Sequence, residues 1–388
     1  MKILLKVTGV GALALLALVF VFRSDASAND SPTCAPTTGF IPQFCVNVPV
    51  GTSVRRETTV PLSAVLTVRA DVRVESGIPA PEVVRLAASV DAAIARIEQV
   101  FDRPFTAKPR ILVFATRASF ARGTQDLFGY SPETAASVAA SYGGVFDAQT
   151  LTIAVSWQST PGANLSSLLA HELTHLATRE IVGQSATLPA WFEEGLAAKI
   201  QAGAGIDADA QLAARSLLAN APHTLDTVTT LAEWHKVYVK LGVGLYAVSA
   251  EAVSAIETQL GHRPMFAMLA EVGSGARFED AYRAHAGEGL DEFIARFTGD
   301  LALTPTAQVG TTLDGSGNFS WTLGAFAPNS DVRIAITGRS YDLAFTVRTD
   351  GTGMYRGTFG STAALGTYTL TAQSATAHAT ATIDTASR

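Results

Sequence analysis

His171-Glu172-Leu173-Thr174-His175, followed by Leu188-Pro189-Ala190-Trp191-Phe192-Glu193-Glu194-Gly195-Leu196-Ala197, is the pair of segments that decides how this chain reads. On an α-helix, residues four apart stand one turn above each other on the same face. The two imidazoles can therefore grip one metal ion while Glu172 sits beside them. Two ligands alone do not make a stable site. A carboxylate from a second helix is the usual completion of a His, His, Glu set, with a fourth position left for water, the arrangement of catalytic zinc. The second segment offers Glu193 and Glu194, each with apolar neighbours one turn away, so helical periodicity does not choose between them. Pro189 suits the first turn of a helix starting there, and Gly195 would let another helix approach closely. The alternative to a metal site is an ordinary amphipathic helix with two surface histidines.

At these residues the chain resembles the gluzincin metallopeptidases, in which HExxH and a downstream glutamate bind zinc, and in particular their bacterial peptidase-MA-like branch. The spacing of eighteen residues, 176 to 193, matches the short form of the gluzincin pattern. The Leu-Pro-x-Trp-Phe-x-Glu-Gly-Leu-Ala phrase is close to that branch's second motif, and the likeness covers residues 61 to 300. The resemblance selects Glu194 over Glu193. It implies one Zn2+ per chain on His171, His175 and Glu194, with Glu172 as general base and a peptide or protein as substrate. It also implies a donor to the oxyanion from a later helix, for which Tyr246 in Gly-Leu-Tyr-Ala-Val-Ser is the candidate; the alternative is a core tyrosine. The chain has no Gly-x-Met-x-Asn stretch of the kind aminopeptidases of this group use to hold a free amine, which favours an endopeptidase.

With 388 residues, 48% hydrophobic and 16% charged, the chain is long enough for two domains and globular rather than disordered. Its net charge of -6 comes without any basic run, which excludes a nucleic-acid partner, whose phosphates would demand clustered Lys and Arg. At the amino terminus, Lys2 and Lys6 precede an apolar run from Val7 to Phe22, and Ala26 and Ala28 fit a small-x-small cleavage site. Residues 1–28 therefore read as a secretory signal peptide. The alternative is an uncleaved membrane anchor, since the run falls only just short of the span of about twenty residues a membrane helix needs. The only two cysteines, Cys34 and Cys45, follow in a Pro-rich extension, residues 29–60. In an oxidising compartment they would form a local disulfide, the alternative being two free thiols.

The segment from Leu66 to Glu75 alternates apolar and polar residues as a strand does. Pro79 and Pro81 then open a helix whose apolar positions, from Val83 through Leu86, Val90, Ile94 and Ile97 to Val100, recur at helical spacing. Arg110 to Ala115 reads as a short buried strand, while Ser119 to Tyr142 carries no clear period. Gly143 to Val155 reads as a hairpin or edge strand arriving just before the histidine helix, which begins near Asn164. In the resembled fold such a strand holds extended substrate through backbone hydrogen bonds; the alternative is plain core structure. From about Ala208 to Leu301 the pattern is mostly helical. His223, His235, His262, His285 and His378 show no ligand spacing with one another and read as surface or cap residues.

Near Leu303 Thr and Gly rise and short alternating runs appear, among them Val332 to Ile336, Phe345 to Val347 and Tyr368 to Thr371. Two matching units, Asp314-Gly-Ser-Gly and Asp350-Gly-Thr-Gly, lack a full calcium ligand set and read as hairpin turns. Six or seven strands in a small β-sandwich are expected, similar to the immunoglobulin-like modules of bacterial secreted enzymes. The expected fold is α+β. A zincin-like domain over residues 61–302 has a small mixed sheet, a zinc-binding helix and a helical second half, and an all-β immunoglobulin-like domain over 303–388 follows it. The expected function is a secreted or extracytoplasmic zinc metallopeptidase, with the sandwich facing a cell-surface or envelope partner. The alternative is a catalytically inactive surface-binding protein of the same fold.

Overall fold

The computed structural model describes residues 17–18, 56–160, 164–203, 208–241, 243–301, 306–313, 319–338, 341–359 and 367–384. Apart from Ala17 and Leu18, the residues of the expected signal peptide lie outside the described residues, as do Cys34, Cys45 and the Asp314 turn. The chain is α+β, with a helical middle and carboxy-terminal sheets. Its residues divide into two compact units. One comprises Leu16–Thr187 and Arg263–Ala281; the other takes in Leu188–His262 and Tyr282–Arg388.

The first unit is built on a mixed sheet of strands β1 (Ala17–Leu18), β2 (Leu62–Val65), β3 (Asp71–Glu75), β4 (Arg110–Phe114), β5 (Tyr142–Asp147) and β6 (Thr152–Ser156), in the order β1-β5-β6-β4-β3-β2. β3, β4 and β6 run parallel, and β5 returns antiparallel to β6, with Gly144 opposite Val155. Among the described residues, the other side of β5 carries a two-residue parallel pairing with β1, Ala17 opposite Tyr142 and Leu18 opposite Gly144. β4 and β6 are buried along their whole length, which explains their apolar runs Ile111 to Phe114 and Ile153 to Val155.

The alternation from Leu66 to Glu75 belongs to two elements rather than one. The chain turns at residues 66–70, where the Asp91 carboxylate accepts from the backbone N–H of Arg69 at 3.1 Å and the Thr67 hydroxyl donates to the Ala70 carbonyl at 2.7 Å. Leu66 and Val68 are left almost fully exposed. Helix α1 (Ala80–Val100) buries Leu86, Val90, Ala93, Ile94 and Ile97, the single face its spacing defines.

The stretch without a clear period forms two short helices. α2 (Arg117–Phe128) starts at a capping box in which Thr116 and Ser119 exchange side-chain and backbone hydrogen bonds, and α3 (Pro132–Ser141) starts at Ser131 with proline in its first turn. α4 (Asn164–Val182) carries the two histidines.

In the second unit α5 (Ala190–Ala202) packs along α8 (Val243–Leu260), which also meets α6 (Ala208–Asn220) and α7 (Leu231–Leu241). Of the remaining helices, α9 (His262–Gly273) falls in the first unit from Arg263 onward, α10 (Phe278–Ala286) begins in the first unit and ends in the second, and α11 (Leu290–Leu301) belongs to the second. Among the described residues no helix is long and apolar enough to cross a membrane.

Strands β7 (Thr306–Leu313), β8 (Phe319–Gly324) and β11 (Tyr355–Phe359) form one antiparallel sheet. β9 (Asp331–Gly338), β10 (Tyr341–Arg348), β12 (Thr367–Gln373) and β13 (His378–Asp384) form another. Both sheets feed one apolar cluster, with Trp321 and Leu323 from the first and Val332, Ile334, Ile336, Tyr368 and Leu370 from the second. The Asp350 carboxylate accepts from the backbone N–H groups of Thr352 (2.8 Å) and Met354 (3.0 Å) and from the Thr352 hydroxyl, so it organises a hairpin turn.

That turn is hydrogen-bonded to α6. Ser216, fully buried, donates its hydroxyl to the Thr352 carbonyl at 2.6 Å and accepts from the Ala325 N–H at 2.9 Å. The Asn220 amide donates to the Phe326 carbonyl at 3.0 Å. Gly353 has φ +79°, and a Cβ there would lie 2.0 Å from the Phe326 oxygen, so only glycine fits.

Candidate metal centre

Every residue of α4 from Leu168 to Leu176 is buried. The helix lies against α1 and against β5, so it lacks the polar face of a surface helix. Thr174 is tolerated inside because its hydroxyl donates to the Ala170 carbonyl one turn back, at 2.7 Å. The helix closes at Gly183, where φ is +80° and the N–H donates to the Arg179 carbonyl. Arg179 in the last turn donates to the Ala186 carbonyl at 2.8 Å, tying down the chain that leads away.

On this helix the His171 and His175 rings have centroids 5.0 Å apart. The side of β5 formed by residues 144 and 146 faces them. Phe146 lies almost parallel to the His175 ring, with centroids 6.3 Å apart and 9° between the planes. A Cβ on Gly144 would come within 2.7 Å of Glu172 Oε1. Sequence reasoning passed over this pair. Its signal was a glycine inside a strand, which often marks the close approach of another group.

α5 begins after Pro189, and its first two amides are taken by loop carbonyls: Ala190 N–H donates to Thr229 and Trp191 N–H to Val228. Everything from Ala190 to Ala198 is buried. That burial explains why periodicity could not separate Glu193 from Glu194, because the helix has no solvent face to mark a difference. Immediately after Glu194, a Cβ on Gly195 would lie 2.4 Å from the Ser249 carbonyl oxygen of α8. The close helix approach expected at this glycine is present.

One ligand atom from each of His171, His175 and Glu194 lies within 4.8 Å of the others, and all three residues are buried. Glu194 belongs to this group and Glu193 does not. Metal–ligand bonds of about 2.0 to 2.2 Å at tetrahedral angles place ligand atoms roughly 3.3 to 3.6 Å apart, so the three groups must draw in by about 1 Å to meet one ion. Two carboxylates, Glu172 and Glu194, are fully buried beside two imidazoles. Placing ionised carboxylates inside a protein is costly unless positive charge accompanies them, and a divalent cation would supply it. The group can therefore hold a metal ion, and its donor set is of the kind that zinc takes.

Tyr246 sits on α8, buried, with its ring edge-on to Trp234 (centroids 5.0 Å) and Tyr238 (5.5 Å). Burial pushes the Tyr238 phenol up. The histidines outside the motif behave as expected of surface residues where their surroundings are described. His223 faces Asp226 at 3.1 Å and is largely exposed; His262 faces Glu257 at 2.5 Å. No family model matches this chain, and no curated protein matches it either.

Proposed function

We propose that this protein is a secreted zinc metallopeptidase of the gluzincin type, close to the peptidase-MA-like branch and acting as an endopeptidase. The single observation that carries the reading is the buried group of His171, His175 and Glu194 with Glu172 buried on the same helix. The mixed sheet with α4 beside β5 supports a zincin-like fold. The shared core of the two carboxy-terminal sheets supports an immunoglobulin-like sandwich, whose outer surface would meet an envelope or cell-surface partner. Secretion rests on the amino-terminal sequence alone.

Zinc at this site would lower the pKa of a water molecule and polarise a peptide carbonyl. His171, His175 and Glu194 would hold the ion. The Glu172 carboxylate takes the proton of the attacking water and delivers it to the amide nitrogen that leaves. Its burial keeps bulk water from competing for that proton. β5, whose side away from β6 pairs among the described residues only with Ala17 and Leu18, would align an extended peptide by backbone hydrogen bonds. Tyr246 is the proposed donor to the oxyanion; α8, its helix, packs directly on α5 next to Glu194.

The test is a mixed peptide library incubated with the purified protein, with and without chelator, beside Glu172→Gln. Cleavage that stops with chelator and in Glu172→Gln, while that variant still binds one zinc, is the expected result. Full hydrolysis by Glu172→Gln, or a wild-type protein that takes up no metal, overturns the reading.

A further inference from the structure

Strand β5 touches the site at two places with two different chemical characters. Side chains alternate along a strand, so residues 144 and 146 share a face, and helix α4 lies across that face. Glu172 and His175, three apart on α4, likewise share a side of their helix. Gly144 thus lies beside the carboxylate and Phe146 beside the imidazole.

We propose that β5 is the positioning element of the centre: Gly144 sets where the Glu172 carboxylate rests, and Phe146 sets the plane of the His175 ring. This rests on the reading of Glu172 as the base. The argument at Gly144 turns on what a methyl group would strike. A Cβ would stand 2.7 Å from Glu172 Oε1 and 3.0 Å from Leu168 Cδ2. Both atoms are the far ends of side chains rather than main chain. The crowding is relieved by turning the carboxylate away, so the strand stays in place while the base is displaced. A residue needed only for folding would show the opposite pattern.

Phe146 acts on a different property. Its ring runs nearly parallel to that of His175 with centroids 6.3 Å apart, on a fully buried strand position, and so offers the imidazole a fixed aromatic wall on that side. A ligand held in its binding orientation loses less entropy when the ion arrives, and groups that orient a ligand typically govern tens of fold in metal affinity.

The experiment measures zinc affinity by competition with a chromophoric chelator, the thermal unfolding midpoint, and kcat and KM on a peptide that the wild type cleaves. For Gly144→Ala, the zinc affinity and unfolding midpoint are expected to stay as in the wild type, with KM little changed and kcat lower by about a hundredfold. For Phe146→Leu, which keeps apolar volume but removes the flat ring, zinc affinity is expected to fall about tenfold or more, with the midpoint of the metal-free protein nearly unchanged. Wild-type kcat in Gly144→Ala, or a kcat loss matched by a lower midpoint, overturns the role of Gly144. Wild-type zinc affinity in Phe146→Leu overturns that of Phe146. A wild-type protein that binds zinc but cleaves no peptide refutes the proposed function instead, and the Phe146→Leu affinity measurement still decides its own half.

Discussion

Replacing Gly195 by alanine places a methyl group 2.4 Å from the Ser249 carbonyl oxygen, 2.6 Å from its carbon and 3.0 Å from Val253 Cγ2. An ordinary contact begins at 3.4 Å, so α5 and α8 must separate by about 1 Å along this line. The two nearest atoms are main chain and cannot rotate away, which puts the cost near the upper end of the range for overpacking, about 3 kcal/mol. Alanine recovers about 1 kcal/mol over glycine in a helix interior. The net expectation is a loss of about 2 kcal/mol and a fall in Tm of roughly 4 to 8 °C. Gly299 supplies the control. It lies in α11, exposed, and a methyl group added there would have nothing within 4 Å, so Gly299→Ala keeps the propensity gain and raises stability by up to about 1 kcal/mol. The assay is urea and thermal denaturation of both variants beside the wild type. If Gly195→Ala is as stable as the wild type, or if both substitutions shift stability in the same direction, the close approach of α5 to α8 is not what the glycine serves.

Ser216→Ala removes a buried hydroxyl that bonds to Thr352 and Ala325 and leaves the Ala325 N–H without that acceptor; urea denaturation should show a loss of about 1 to 3 kcal/mol, and a loss below about 0.5 kcal/mol would refute the role of the serine. Burial pushes the Glu257 carboxyl up, but hydrogen bonds from His262 and Lys199 outweigh it and hold the group below its ordinary value of 4.5. A carboxyl lowered by folding contributes stability above its unfolded value, and that contribution is lost as pH falls through the lower folded value. Glu257→Gln should therefore flatten the decline in stability below about pH 4.5, and an unchanged acid limb would count against the cluster. Zinc at a thousandfold above its Kd should raise the unfolding free energy by about 4 kcal/mol, a gain that chelator abolishes; a midpoint indifferent to metal would dismiss the His171, His175 and Glu194 group as a binding site.

Much of this was legible because the deciding residues carry strong local signals. The α1 face, the β5–β6 hairpin, α4 and the strands around Val332, Phe345 and Tyr368 stand where their periodicities put them. Other features were hidden for identifiable reasons. Leu66 and Val68 kept the alternation of a strand through a turn, because nothing in the pattern itself records that Asp91, over twenty residues later, accepts from the turn's amides. The starts of α2 and α3 rest on single hydroxyls, Thr116 and Ser131, amid alanines and glycines that blur the period. Full burial of α5 erased the contrast that separates one glutamate from the next. Gly144 and Phe146 gain their meaning only when β5 is laid against α4.

The join between the Asp350 turn and α6 bears on how this architecture can be shuffled between proteins. The turn offers main-chain oxygens at Thr352 and Phe326 to Ser216 and Asn220, and it comes close enough that Gly353 admits no side chain. A set of sheets transplanted here from another protein would arrive without those oxygens in register, stranding the buried Ser216 hydroxyl and leaving the Asn220 amide without its carbonyl partners on the turn. Exchange of the carboxy-terminal sheets is thus restricted to donors that bring a glycine-bearing turn of the same shape, or to chimaeras in which α6 is exchanged along with them.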